Sequence, residues 1–142
     1  MKMSQWWFGA DPGGVDNFGI AVLRKDGTYD TKCVNCVDDA MDWIGGRPNG
    51  VGIDCPLWWS SGQGGGRESD QWIRDQGIPP GTVQSANSLQ GAVLLQGMML
   101  AVRLRERYGD VLITEAHPKA VLRFLCLPLD WTSGTKSGNT SS

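Results

Sequence analysis

The chain has 142 residues, with 13 Lys and Arg against 15 Asp and Glu, for a net charge of -2. That length builds one domain with a real core and not two, and that charge leaves no basic footprint for a polyanion at the level of the whole chain. No apolar run is long enough to span a bilayer, and Met1 to Gln5 leads into a strand without a signal-peptide pattern, so a cytoplasmic location is expected.

Trp6 to Ala10 reads as a buried strand, aromatic and without alternation. Asp11 to Asn17 is a Gly/Pro/Asp loop, and Phe18 to Leu23 is a second strand. Asp26-Gly27 is a hairpin signal, so Tyr29 to Val37 follows as a third strand and completes an antiparallel meander. Asp38 is placed to cap a short helix over 39–44, stopped by Gly45-Gly46. Pro48-Asn49-Gly50 turns into Val51 to Asp54, short and apolar as a parallel strand covered on both faces. Residues 56–66 form an irregular glycine-rich loop. Glu68 to Gln76 predicts a helix, broken over 77–82 by Pro79-Pro80 and flanking glycines. A long amphipathic helix is predicted over about 87–108, with arginines in its last turns and Gly109 at its end. Val111 to Glu115 is a final strand, and Pro118 to Leu125 a final helix, because Pro suits the first turn. Residues 132–142 read as a disordered polar tail after a single domain over 1–131.

This order, β-β-β-α-β-α-α-β-α, predicts an α/β fold. Its sheet is mixed and five-stranded, an antiparallel three-strand meander plus two crossover strands, with flanking helices. In the simplest arrangement the first strand is central. Asp11 and Asp54, each closing a strand, then lie on adjacent strands. Strand-end carboxylates beside tight turns cost solvation and add no core packing, and a pair of them forms an acidic pocket suited to a divalent metal. The alternative for Asp11 is a residue that stabilises its own turn.

The four cysteines are expected to be thiols. Cys33 and Cys36 form a CxxC, but no second CxxC completes a zinc site and no helix start typical of redox motifs is read there.

Asp11-Pro12-Gly13-Gly14 followed by Phe18-Gly19-Ile20-Ala21-Val22 resembles the opening of RNase H-like nucleases, where the Asp of an Asp-Pro-Gly turn binds metal. Actin-like ATPases also join their first strands with an acidic glycine turn. An ordered set then follows: Ile53-Asp54-Cys55-Pro56-Leu57, Arg67-Glu68-Ser69-Asp70 with Ile73-Arg74, and Thr114-Glu115-Ala116-His117-Pro118. Together these resemble the domain of unknown function 429, a family of predicted RNase H-like nucleases, over most of the chain from Phe8 to Leu125. Members are usually longer at the C-terminus, so a shortened copy is expected.

The resemblance implies an RNase H-like sheet and a nuclease dependent on Mg²⁺ or Mn²⁺ with nucleic acid as partner. Asp11 and Asp54 are the expected metal ligands. Glu115 is a third oxygen ligand and Asp70 a supporting catalytic carboxylate. Arg67 and Arg74 share a helix face with Asp70 and are expected to contact phosphate; the competing reading is a salt-bridged solvated face. His117, the only histidine, is either a general base or a surface residue at a helix start. Trp58 and Trp59 either stack on bases or cover a core edge, the second being expected. Gln84, Ser85 and Asn87 are placed to cap the long helix, and Met98-Met99 to pack in the core. Two other classes compete with the nuclease: an actin-like nucleotide-phosphate module, and a non-catalytic interaction protein.

Overall fold

The computed structural model describes residues 5–58, 67–78 and 91–125. Its strands are β1 (Trp6–Asp11), β2 (Phe18–Arg24), β3 (Tyr29–Val34), β4 (Gly50–Ile53) and β5 (Leu112–Glu115). Its helices are α1 (Val37–Trp43), α2 (Glu68–Asp75), α3 (Gly91–Tyr108) and α4 (Pro118–Phe124). The strands form one sheet in the order β3-β2-β1-β4-β5. β1 pairs antiparallel with β2 and parallel with β4, and β4 pairs parallel with β5. The expected mixed sheet with a central first strand is therefore observed.

Strand alternation sorts the side chains. Phe8, Ala10, Phe18, Ile20, Val51 and Ile53 face one side and are buried. There they meet Val37, Ala40 and Met41 of α1 and Leu100 and Leu104 of α3 in one core cluster. The residues between them are Gly9, Gly19, Ala21 and Gly52, so the opposite face is stripped of bulk toward the ends of β1 and β4, while Trp7, Leu23 and Leu112 occupy its other end.

The β2–β3 hairpin turns at Gly27, whose φ of 84° is the left-handed conformation that glycine tolerates. Asp26 Oδ1 accepts from both the Thr28 N–H and its hydroxyl, at 2.9 and 2.7 Å. These bonds hold the Asp26 carboxyl below its usual pKa.

Two boundaries differ from expectation for local reasons. β3 stops at Val34, and α1 begins at Val37 with Cys36, not Asp38, as its N-cap residue. Cys36 makes no side-chain cap; the Val37 N–H instead donates to Gln96 Oε1 of α3 at 3.0 Å. Gln96 Nε2 donates in turn to Asn35 O at 3.2 Å. A long-range amide thus supplies the cap, so Cys33-Val34-Asn35-Cys36 does lead into a helix, contrary to the reading of that motif. Both cysteines are free thiols.

Trp58 is exposed rather than laid over a core edge. Met99 is also exposed, so only part of the Met98-Met99 pair turns inward. Trp59, the caps expected at Gln84, Ser85 and Asn87, and the polar tail lie outside the described residues. No described helix is long and apolar enough to cross a membrane.

Candidate functional site

β1 ends on Asp11, and Asp54 follows the last residue of β4. Ala10 pairs with Ile53 in the parallel register, and the Asp54 N–H donates to Ala10 O at 2.8 Å. The two carboxylates are therefore held side by side at the C-terminal edge of the central parallel pair. This is the place where open α/β sheets bind ligands.

The turn that presents Asp11 depends on Gly13. A Cβ there would lie 1.8 Å from Asn17 O, so no other residue fits without moving the turn. Asn17 N–H donates to Gly14 O at 3.1 Å and closes it. Beneath both aspartates runs α3, which approaches closely at Gly97. A Cβ on Gly97 would lie 2.0 Å from Cys55 Sγ and 3.3 Å from Pro12 Cγ. Pro12 adjoins Asp11 and Cys55 adjoins Asp54, so one helix position sets the height of both carboxylates.

Asp11 and Asp54 line a groove of about 810 Å³ on the stripped face of the sheet. Gly9, Gly19 and Gly52 line it too, and Lys32 and Lys119 bring positive charge. Desolvation in this setting raises the pKa of both carboxyls. The charge of Asp11 raises Asp54 further, while Lys119 opposes the rise in both and His117 opposes it in Asp54. Like charges held together and partly dried favour a cation between them.

The other expected residues gather in a second place. Arg67 Nε and Nη2 donate to the two oxygens of Asp70, at 3.0 and 2.7 Å, and Arg67 Nη1 donates to Glu115 Oε1. The Arg67 N–H also donates to Asp70, at 3.3 Å, the backbone half of a capping box that starts α2. The same Glu115 oxygen accepts from the Leu57 N–H at 2.8 Å. Asp70 is 3 % exposed.

The structure thus brings Asp11 to Asp54, and brings Asp70 and Glu115 to Arg67, with Asp54 bordering both sets. No group of three or more His, Cys, Asp or Glu able to hold a metal occurs among the described residues. Both Asp70 oxygens accept from Arg67, and Glu115 Oε1 accepts from Arg67 and from the Leu57 amide. Arg67 in turn spends its donors on carboxylates, so a phosphate would have to displace one. Arg74 is half-buried on the next turn of α2.

Reasoning from the sequence passed over Lys119, Gly97 and the glycine floor. Lys119 carried a signal, since the residue after Pro118 at a helix start faces the same sheet edge as the strand-end carboxylates. Gly97 carried none, because a glycine inside a helix announces a close approach without naming what approaches.

No family model, no curated protein and no solved structure matches the chain.

Proposed function

We propose that Asp11 and Asp54 hold a divalent cation, Mg²⁺ or Mn²⁺, and that the protein is an RNase H-like metal-dependent phosphodiesterase acting on nucleic acid. The observation that carries this reading is the adjacency of the two carboxylates at the ends of β1 and β4, with pKa values raised by desolvation and, at Asp54, by its neighbour. The donor set is all oxygen and anionic, which suits a hard cation. The order of the strands and the run of short motifs support the RNase H-like reading.

A cation held there supplies an activated water and charge stabilisation at a phosphoryl oxygen. The chain's own part is positional. Gly13 and Gly97 fix the two aspartates. The glycine floor lets a substrate backbone approach the sheet, and Lys119 presents an ammonium beside the carboxylates for a phosphate. Asp70 and Glu115 act at one remove: by holding Arg67 and the Leu57 amide they fix the segment that leaves Asp54.

Calorimetric titration with Mn²⁺ tests this, paired with cleavage of single- and double-stranded DNA and RNA in Mg²⁺. Wild type is expected to bind Mn²⁺ and to cut at least one substrate, and Asp11→Asn to lose both. No Mn²⁺ uptake at millimolar concentration, or uptake unchanged in Asp11→Asn, would sink the reading.

One observation favours a second reading, a non-catalytic protein of the same architecture: no third carboxylate joins the pair among the described residues. Mn²⁺ bound without cleavage of any nucleic acid is its signature.

A further inference from the structure

His117 precedes α4, and its Nδ1 accepts from the Ala120 N–H at 3.4 Å, capping the helix. A ring nitrogen that accepts carries no proton, so the proton of a neutral imidazole held this way sits on Nε2. Nε2 is buried and has no hydrogen-bond partner among the described residues. Native proteins seldom leave a buried donor unmatched, and ordered water is the usual remedy.

The surroundings suit a water. His117 lines an inner cavity of about 120 Å³ together with Asp54, Arg67, Asp70 and Glu115. A buried water needs only about 10–15 Å³ and two to four polar partners. Asp54 lines both this cavity and the outer groove that holds Asp11. Its carboxylate is therefore addressed from two sides.

We infer that His117 is a positioning residue for Asp54: its Nε2–H donates to a water held in the inner cavity, and that water donates to the Asp54 carboxylate. One Asp54 oxygen is thereby fixed from behind, and the other is left to face Asp11 and the groove. Ligating carboxylates are commonly held by such outer hydrogen bonds. The effect on cation binding rests on the reading of Asp54 as a ligand; the hydrogen-bond chain itself does not.

Because His117 is the only histidine, its ring nitrogens are read by ¹⁵N NMR without assignment. The expected spectrum is that of the Nε2-protonated tautomer in metal-free protein. A high-resolution crystal structure is expected to show a water within hydrogen-bond reach of Nε2 and of the Asp54 carboxylate. Two variants separate positioning from capping. His117→Asn keeps an acceptor near Nδ1, and so the cap, but deletes Nε2; its Mn²⁺ affinity is expected to fall about tenfold. His117→Gln restores a donor near Nε2 and is expected to recover most of that loss. A proton on Nδ1, an inner cavity without water, or His117→Asn binding Mn²⁺ as wild type does would overturn the inference. If wild type takes up no Mn²⁺, the cation reading fails, and the tautomer and the water still decide the role of His117.

Discussion

At Arg67, two carboxylates from different elements converge on one guanidinium that bonds them both. At the ends of β1 and β4, two carboxylates converge on each other. The residue types are the same and the electrostatic outcomes are opposite. Asp70 has its side chain 4 % exposed and Arg67 16 %, and each guanidinium nitrogen of the arginine donates to a carboxylate oxygen. Such a cluster is internally satisfied, and its role is to tie α2 and the Leu57 segment to β5. At the Asp11–Asp54 pair desolvation outweighs the charge of Lys119, and both carboxyls are pushed up in pKa. Folding leaves that tension in place.

The comparison breaks first if the Arg67 cluster is not structural. Arg67→Met leaves Asp70 buried and unpaired and is expected to destabilise the fold by about 3–5 kcal/mol, read as a shift in the urea midpoint by circular dichroism. Arg67→Met with Asp70→Leu removes both charges and is expected to recover most of the loss. A single-variant loss below about 1 kcal/mol would put the cluster with ordinary surface pairs.

Cys55 lies between the two regions and reports on both. Burial pushes its thiol from the usual 9.0 up to about 12, with the charges of Glu115 and Asp54 adding and Arg67 opposing. About a thousandfold less thiolate follows at neutral pH, because each unit is tenfold. Iodoacetamide followed by peptide mass mapping is expected to label the exposed Cys33 readily and Cys55 only in denaturant. Labelling of Cys55 at the rate of Cys33 would mean that the wall between the clusters is open.

The aspartate pair was legible because it depends on backbone order alone. Asp26-Gly27 announces the hairpin, the hairpin puts β1 at the centre, and a right-handed crossover brings β4 beside it. The Arg67 cluster was half legible. Helical spacing places Arg67, Asp70 and Arg74 on one face, but nothing local says that Glu115, on a strand far along the chain, will reach Arg67 before it reaches Asp11. That choice is made by the side-chain geometry that seats Glu115 on Arg67 Nη1 and the Leu57 amide, which spacing does not encode. The start of α1 was misplaced for the same reason: Asp38 is the best local cap, yet Gln96 of α3 supplies the bond. Long-range side-chain hydrogen bonds override local capping rules wherever packing brings them into reach.

Gly97 links the two regions, since the close approach of α3 seats Pro12 and Cys55 together. Gly97→Ala forces a methyl to within 2.0 Å of Cys55 Sγ and is expected to cost about 1–3 kcal/mol. Because the displaced atoms adjoin both aspartates, Mn²⁺ affinity is expected to fall further than in Arg67→Met/Asp70→Leu, which leaves α3 in place and loosens only the segment after Asp54. Calorimetry on both variants separates the two effects.

The smallest expected effect has the opposite sign. Asp11→Asn removes a like charge from beside Asp54. Solvent screening at the exposed Asp11 keeps the resulting gain in stability below about 1 kcal/mol. Its pH dependence carries the argument. Both carboxyls have folded-state pKa values above the usual 3.8, so between that value and the raised ones the folded chain binds more protons than the unfolded chain. Their contribution to stability is most favourable below the unfolded value and is lost as pH rises through the raised ones. Wild type should therefore lose stability relative to Asp11→Asn as pH climbs out of the acid range, and keep that deficit at neutral pH. Asp70→Asn should instead cost stability at neutral pH, because it removes the partner of Arg67. Urea midpoints of the three proteins against pH decide it. If Asp11→Asn loses stability at neutral pH as Asp70→Asn does, the strand-end pair is held together by partners of its own, and the contrast between a satisfied and an unsatisfied pair of carboxylates disappears.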